Sequence, residues 1–426
     1  MSDTNYFEDK VSPKDRLFNT EEEPERAILV SVCTDGNEVE THSQLKELEE
    51  LLLTAGGVKV GEIVQNRDAV HHGTYIGKGK LEELKGLVEF MNADSVICDD
   101  ELSPMQIKNL SDFLNVKVID RTVLILDIFA KHAKTAEGRL QVELAQLNYN
   151  ATHLTGSYKR MSRLGGGIGT RGPGEQKIEV DRRIIRNRIV KIQRDLEKLE
   201  KNREELRKKR AKESIPMIAI VGYTNAGKST LLNKLTNAGV LSENKLFATL
   251  DPTTRRYTYE DGEEVLFTDT VGFVRKLPHN LIKAFKSTLM EAGYADIILH
   301  VADASNEDYD KHINTVYEVL DSLKINHENC ITAFNKTDLI PEDEFPSLKD
   351  LKAKKTVRIS AKTGEGIDKL LSIIKESLSE RYTEIEEVFS YSDAGKIQKI
   401  RDNGRILVEE YREDGIYIKA LITKRG

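Results

Sequence analysis

Gly222-Tyr223-Thr224-Asn225-Ala226-Gly227-Lys228-Ser229-Thr230 follows the apolar run Ile218-Ala-Ile-Val221 and leads into the helix-forming stretch Leu231-Leu-Asn-Lys-Leu235. A buried strand that passes through a glycine-rich turn into a helix is the context in which G-x-x-x-x-G-K-S is a phosphate cradle rather than a chance string. Successive backbone N–H groups and the positive end of the helix dipole face the phosphates, and glycine lets the main chain come close. In that role Lys228 reaches the β- and γ-phosphates and the Ser229 hydroxyl ligates Mg²⁺. The bland alternative is a glycine-rich turn without a ligand, and the downstream sequence argues against it.

Three further apolar runs end in polar residues. Val265-Leu-Phe-Thr-Asp269 closes on an acid suited to hold magnesium through its water shell, and Gly272, after Thr270 and Val271, leaves room for an N–H to meet the γ-phosphate. Cys330-Ile-Thr-Ala-Phe-Asn335-Lys336-Thr-Asp338 ends at the sheet edge where a doubly wound fold places ligands. A carboxylate at Asp338 accepts from the N1–H and exocyclic amine of guanine; adenine offers neither donor and would leave a buried acid unpaired. Val357-Arg-Ile-Ser360-Ala361-Lys362 supplies a main-chain N–H for the guanine O6. Four strand-end motifs in this order point to a guanine nucleotide site.

Residues 215 to 380 thus resemble a translation-factor-class P-loop GTPase domain. The resemblance implies a magnesium-binding threonine on a switch I loop ahead of the Asp269 strand. Phe247-Ala248-Thr249-Leu250-Asp251 lies there and assigns the role to Thr249, with Thr253 and Thr254 as nearby alternatives. Asp269 to Phe273 is then switch II.

A chain of 426 residues has room for several domains. No apolar run approaches the roughly 18 residues of a membrane span, and the acidic, polar N-terminus carries neither a signal-peptide pattern nor a lipidation signal. Cys33, Cys98 and Cys330 form no metal-type spacing and read as buried thiols in a reducing compartment, so a cytoplasmic protein is expected. The formal charge of −7 conceals an asymmetry. From Arg182 to Lys212 fourteen Lys/Arg face five Asp/Glu, a net of +9, which suits a polyanion partner better than a merely solvated face.

Short β-rich runs at Ala27–Val32, Val58–Val64, Ser95–Cys98 and Val116–Ile119 alternate with helical patterns, the mark of a small α/β domain with a mainly parallel sheet. Within it Gly73 to Lys80 precedes a helix and could bind phosphate, but a turn or an RNA-backbone contact is the better reading than a second nucleotide site, and His71-His72 reads as surface. Leu140, Leu144, Leu147, Ala151 and Leu154 share the four-three spacing of Ile185, Ile189, Ile192, Leu196 and Leu199, with Leu206 seven later. Matching seams predict two antiparallel helices packed on each other. Between them runs a loop from Ser157 to Glu175 with six glycines and the basic residues Lys159, Arg160, Arg163 and Arg171, adaptable enough to thread irregular RNA.

The stretches Asp120–Phe129, Glu137–Gln146, Arg171-Gly-Pro-Gly-Glu175 and Asp181-Arg182-Arg183, all upstream of the nucleotide motifs, resemble the HflX family over about residues 25 to 380. Where many members read Gly-Glu-Thr-Gln-Leu-Glu, this chain has Gly174-Glu-Gln-Lys-Ile-Glu179. The resemblance implies a Mg²⁺-dependent, ribosome-stimulated GTPase. Such a protein binds the large ribosomal subunit through its N-terminal region and splits or rescues stalled and idle ribosomes, with rRNA contacts from Lys159, Arg160, Arg163, Arg171, Arg182 and Arg183. A ribosome-assembly GTPase is the alternative, as is an ATP-dependent RNA-remodelling factor acting through the N-terminal domain. A signalling GTPase that binds only protein partners is a further one.

Ras-like enzymes orient the attacking water with a glutamine just beyond the D-x-x-G motif. Phe273 stands in that place, so free hydrolysis should be slow and acceleration must come from elsewhere. Asn225 occupies the P-loop position that ligates K⁺ in potassium-activated relatives, with an ordinary loop-stabilising role as the alternative. The expected organisation is a multidomain α/β chain, monomeric: a flexible acidic tail (1–24), an α/β domain (25–134), a helical hairpin (135–213), a GTPase domain with a doubly wound sheet (214–382) and a small α+β module (383–426).

Overall fold

The run from Ala27 to Val32 lacks the polar alternation of a half-exposed strand, and β1 (Arg26–Cys33) is accordingly buried from Ala27 onward. In this computed structural model, which describes residues 24–157, 173–213, 215–236, 246–247, 249–285, 289–341, 348–380 and 382–423, β1 lies between β2 (Val58–Asn66) and β3 (Ser95–Cys98), with β4 (Lys117–Asp120) beyond β3 and every pair parallel. Successive β1 residues face opposite sides. Ala27 and Leu29 join a core with α1 (Glu38–Ala55) and α4 (Arg121–His132), whereas Ile28 and Val30 pack under α2 (Lys78–Met91) and α3 (Pro104–Leu114). The helix starts are written in side chains: Asn37 caps α1, Ser103 and Gln106 form a capping box on α3, and Asp120 caps α4.

The long helices α5 (Ala136–Ser157) and α6 (Pro173–Glu213) pack on each other. On α6 the expected seam is what is covered: Ile192 is buried, and Ile185, Ile189, Leu196 and Leu199 are half-buried. On α5 the prediction needs correcting, because the buried positions are Gln141, Val142, Leu144, Ala145 and Tyr149 while Leu140 and Leu147 are only half-covered. The reason is that α5 also packs on α3, α4 and α8 (His279–Ala284), so more than one of its faces is buried. The side chains of Leu154 and Leu206, the tail to residue 23 and loop residues 158–172 lie outside the described residues.

The second sheet runs β10-β9-β8-β5-β7-β6, from β5 (Met217–Gly222), β6 (Thr253–Thr258), β7 (Glu264–Asp269), β8 (Ile297–Asp303), β9 (Cys330–Asn335) and β10 (Lys355–Arg358). All neighbours are parallel except the edge pair β6 and β7. Apolar β5, β8 and β9 are buried on both faces by α7 (Lys228–Thr236), α9 (Tyr309–Ser322) and α10 (Ile367–Ser379), so their carboxyl ends open on one edge. A smaller antiparallel sheet, β11 (Tyr382–Phe389), β13 (Gly415–Thr423) and β12 (Gly404–Arg412) in that order, is covered by α11 (Ala394–Asn403) through Ile397 and Ile400. The chain is therefore a multidomain α/β protein. Among the described residues no helix is long and apolar enough to cross a membrane, and the three cysteines are buried and unpaired.

Candidate nucleotide site

The turn after β5 depends on its glycines. Gly222 sits at φ +156°, where a Cβ would run into the Val301 carbonyl of β8, and Gly227 at φ +94°, where it would strike the Asn335 amide. Asn225 adopts φ +60°, a left-handed conformation that asparagine tolerates. Lys228 is buried, its Nζ donating to the Gly222 and Tyr223 carbonyls at 3.1 and 2.8 Å. Burial lowers its pKa to about 8, opposed by the Asp269 charge. An ammonium desolvated in this way gains from an anionic phosphate more than one in water does. Thr230 follows half-buried in the first turn of α7.

Ser229 Oγ donates to Asp269 Oδ2 at 2.7 Å and lies 2.9 Å from Thr249 Oγ1. Asp269 is fully buried, burial raises its pKa, and its Oδ1 has no hydrogen-bond partner. Three converging oxygen ligands, one an orphaned carboxylate oxygen, fit a hard cation that keeps part of its water. Ser229 and Thr249 would hold Mg²⁺ directly and Asp269 through water; the ion would neutralise charge developing on the β- and γ-phosphate oxygens. Thr253 opens β6, and Thr254 is committed to Thr268 across the strand pair at 2.9 Å.

At the other end Asn335 is buried, its Nδ2 donating to the Ala226 carbonyl at 2.8 Å and its Oδ1 accepting the Ala361 N–H at 2.9 Å. Asn335 thus ties its own strand end both to the P-loop and to the Ser360–Lys362 segment that is expected to supply an N–H for the guanine O6. Asp338 is exposed, in contrast to the buried acid expected from sequence, and accepts from Ser360 Oγ at 2.6 Å. Lys336 pairs with Asp303 at 2.7 Å, and Lys362 is exposed.

The segment expected to be switch II, Asp269 to Phe273, lies on the P-loop. A Cβ on Gly272 would stand 2.7 Å from Thr224 Cγ2 and 3.0 Å from Lys228 Nζ. The Phe273 carbonyl accepts the Thr224 N–H at 2.7 Å, its own N–H donates to the Gly222 carbonyl at 3.2 Å, and its ring is buried. Thr270 Oγ1 donates to the Ile220 carbonyl at 2.8 Å, and Val271 is buried beside it. Phe247, Leu250 and half-buried Asp251 of switch I are described, whereas Ala248 lies outside the described residues.

Sequence reasoning missed a clasp between this site and the first domain. The Tyr223 hydroxyl donates to Glu47 of α1 and accepts the Arg275 N–H at 2.7 Å, while its ring stacks on His312 with centroids 3.8 Å apart. Arg275 reaches Ser43 at 3.1 Å and Asp308 at 3.1 Å, and Lys276 reaches Asp99 and Asp100 at 2.5 and 2.6 Å. Asp99 and Glu47 also hold buried Arg121. The carboxyl edge of the first sheet is thus filled by residues that follow switch II. His71, expected on the surface, is half-buried and accepts the Gly73 and Thr74 N–H groups at 3.2 Å each; Gly77, from the weak phosphate-loop candidate, donates its N–H to Gln65 at 2.8 Å.

On α6 Arg182 is half-buried and Arg183 exposed. Arg188 pairs with Glu143 of α5 and Arg203 with Glu137 and Glu291, so part of the basic excess holds the helices together. Lys159, Arg160, Arg163 and Arg171 lie outside the described residues.

Comparison with known proteins matches residues 42–130 to a GTP-binding GTPase N-terminal family, 132–210 to a GTP-binding GTPase middle region, and 217–336 to a 50S ribosome-binding GTPase family. The GTPase HflX of Lacrimispora saccharolytica is 53% identical over 95% of both chains. That of Escherichia coli is 44% identical over 85% of both. A GDP-bound GTP-binding protein of Sulfolobus solfataricus aligns at 23% identity over 84% of this chain and 99% of its own, with a TM-score of 0.42. With relatives 53% and 44% identical over most of their length, this chain belongs to the HflX family of GTPases.

Proposed function

We propose that the chain is a cytoplasmic GTPase that binds the large ribosomal subunit in a nucleotide-dependent way and splits or rescues stalled or idle ribosomes. The observation that carries the reading is the basic outer face of α6, where Arg183, Arg186, Lys191, Arg194 and Lys201 are exposed, on a helical pair joined to the nucleotide switches. The sequence between the two helices adds the basic residues Lys159, Arg160, Arg163 and Arg171, which suit contact with rRNA. A GTPase-domain match described as 50S ribosome-binding supports the same partner.

In the hydrolytic cycle Lys228 and the P-loop N–H groups bind the phosphates and Asp338 selects guanine. Phe273, buried and paired to the P-loop, leaves the attacking water without a polar side chain of its own. Orientation of that water then falls to the bound ribosome, or to K⁺, which Asn225 would hold at the P-loop. Hydrolysis releases the loop at Thr249, an order-to-disorder switch that frees the helical pair. Co-sedimentation with ribosomal particles tests this: strong binding with a non-hydrolysable GTP analogue and weak binding with GDP are expected, and equal binding in both would overturn it.

A further inference from the structure

The residues flanking Thr249 are tied to the N-terminal region on both sides. The Leu246 N–H donates to Thr54 Oγ1 near the end of α1 at 3.3 Å. The Phe247 ring meets Phe129 of α4 edge-on, centroids 4.6 Å apart, and Phe129 meets Phe285 beyond α8 in the same manner at 4.8 Å. Asp251 is seated on the turn that opens α5. Its Oδ2 accepts the Lys134 and Thr135 N–H groups at 3.0 and 2.9 Å, and its Oδ1 accepts the Thr135 hydroxyl at 2.5 Å. Thr135 Oγ1 in turn accepts the Gly138 N–H at 2.9 Å, capping the helix. Gly138 makes the room, because a Cβ there would stand 2.5 Å from Asp251 Oδ1. A carboxylate at this place also meets the positive end of the α5 dipole.

We propose that Thr135 and Phe129 are positioning residues for the magnesium site, holding switch I so that Thr249 Oγ1 stays beside Ser229 and Asp269. The inference rests on the assignment of Thr249 to Mg²⁺. It identifies the physical link between nucleotide and helical pair: by reciprocity, whatever fixes Thr249 also fixes the first turn of α5, which packs along basic α6. Thr249 serves only the triphosphate state, where switch I closes over the γ-phosphate, so its positioning residues should matter for GTP and not for GDP.

The test follows retention of a fluorescent non-hydrolysable GTP analogue, and separately of fluorescent GDP, by the full chain as Mg²⁺ is titrated. Thr135→Ala should raise the Mg²⁺ needed for half-retention of the analogue about tenfold or more, the scale of one lost hydrogen bond to a charged group. GDP retention should not move, and Thr135→Ser should restore the wild-type curve. Gly138→Ala, which favours the helix but intrudes on the carboxylate, should shift the analogue curve in the same direction. A wild-type curve for Thr135→Ala alongside a shifted one for Thr249→Ala would overturn the positioning claim alone. An unshifted Thr249→Ala would overturn the magnesium assignment on which it rests. Equal shifts for analogue and GDP would reduce Thr135 to a structural role and refute the proposal.

Discussion

Replacing Tyr223 by phenylalanine removes one oxygen from the P-loop and keeps the ring that stacks on His312. The lost hydroxyl donates to the Glu47 carboxylate and accepts the Arg275 N–H, and all three residues are buried. Burial pushes the tyrosine pKa up to about 12, so it is a protonated donor throughout the physiological range. A hydrogen bond to a charged group contributes about 1.5–3 kcal/mol, and a stranded buried N–H costs about 1–3 kcal/mol. Because Arg121 still holds Glu47, the two losses overlap, and we expect Tyr223→Phe to cost about 3 kcal/mol. At a urea slope of about 2 kcal/mol per molar this lowers the unfolding midpoint by about 1.5 M. The assay is urea unfolding of the full chain followed by tyrosine fluorescence and far-UV circular dichroism. A midpoint within about 0.3 M of the parent would show that the P-loop is not held by the first domain and would refute the clasp.

Phe273→Gln puts an amide into a packed core and should lower stability by about 3 kcal/mol without raising intrinsic turnover, read by thermal melting and phosphate release. Turnover in K⁺ should exceed that in Na⁺, and Asn225→Ala should erase the difference; equal rates in both salts for the parent chain would remove K⁺ from the mechanism. Burial, aided by Arg275, lowers the His312 pKa from 6.5 to about 4. The unfolded chain therefore takes up this proton first, and stability falls as pH drops from 6.5 toward 4, by roughly 2 kcal/mol from this residue after allowance for partial exposure. His312→Gln should flatten that part of the pH–stability curve, leaving the contribution of buried His300, whose pKa is also lowered to about 4.

The nucleotide site is legible in sequence because its parts are local. Each motif sits at the end of an apolar strand, and a parallel sheet gathers strand ends on one edge, so Lys228, Asp269, Asn335 and Ser360 come together without any knowledge of distant pairing. The clasp is illegible for the opposite reason. Tyr223 and Glu47 are 176 residues apart, and a tyrosine among P-loop residues looks the same whether it faces solvent or another domain. Arg121 stands at the head of an apolar stretch, yet it is among the most deeply buried side chains, held by Glu47 and Asp99. On α5 the heptad pattern records one partner, whereas the helix has several. The exposure of Asp338 is a property of the loop after β9, which the strand-end pattern does not encode.

In the proposed cycle a γ-phosphate held by the central domain sets the pose of the basic helical pair on rRNA. Deleting residues 157 to 174 and measuring ribosome-stimulated GTP hydrolysis tests that most directly. We expect intrinsic hydrolysis to persist and stimulation to be lost; full stimulation without the loop would contradict the coupling.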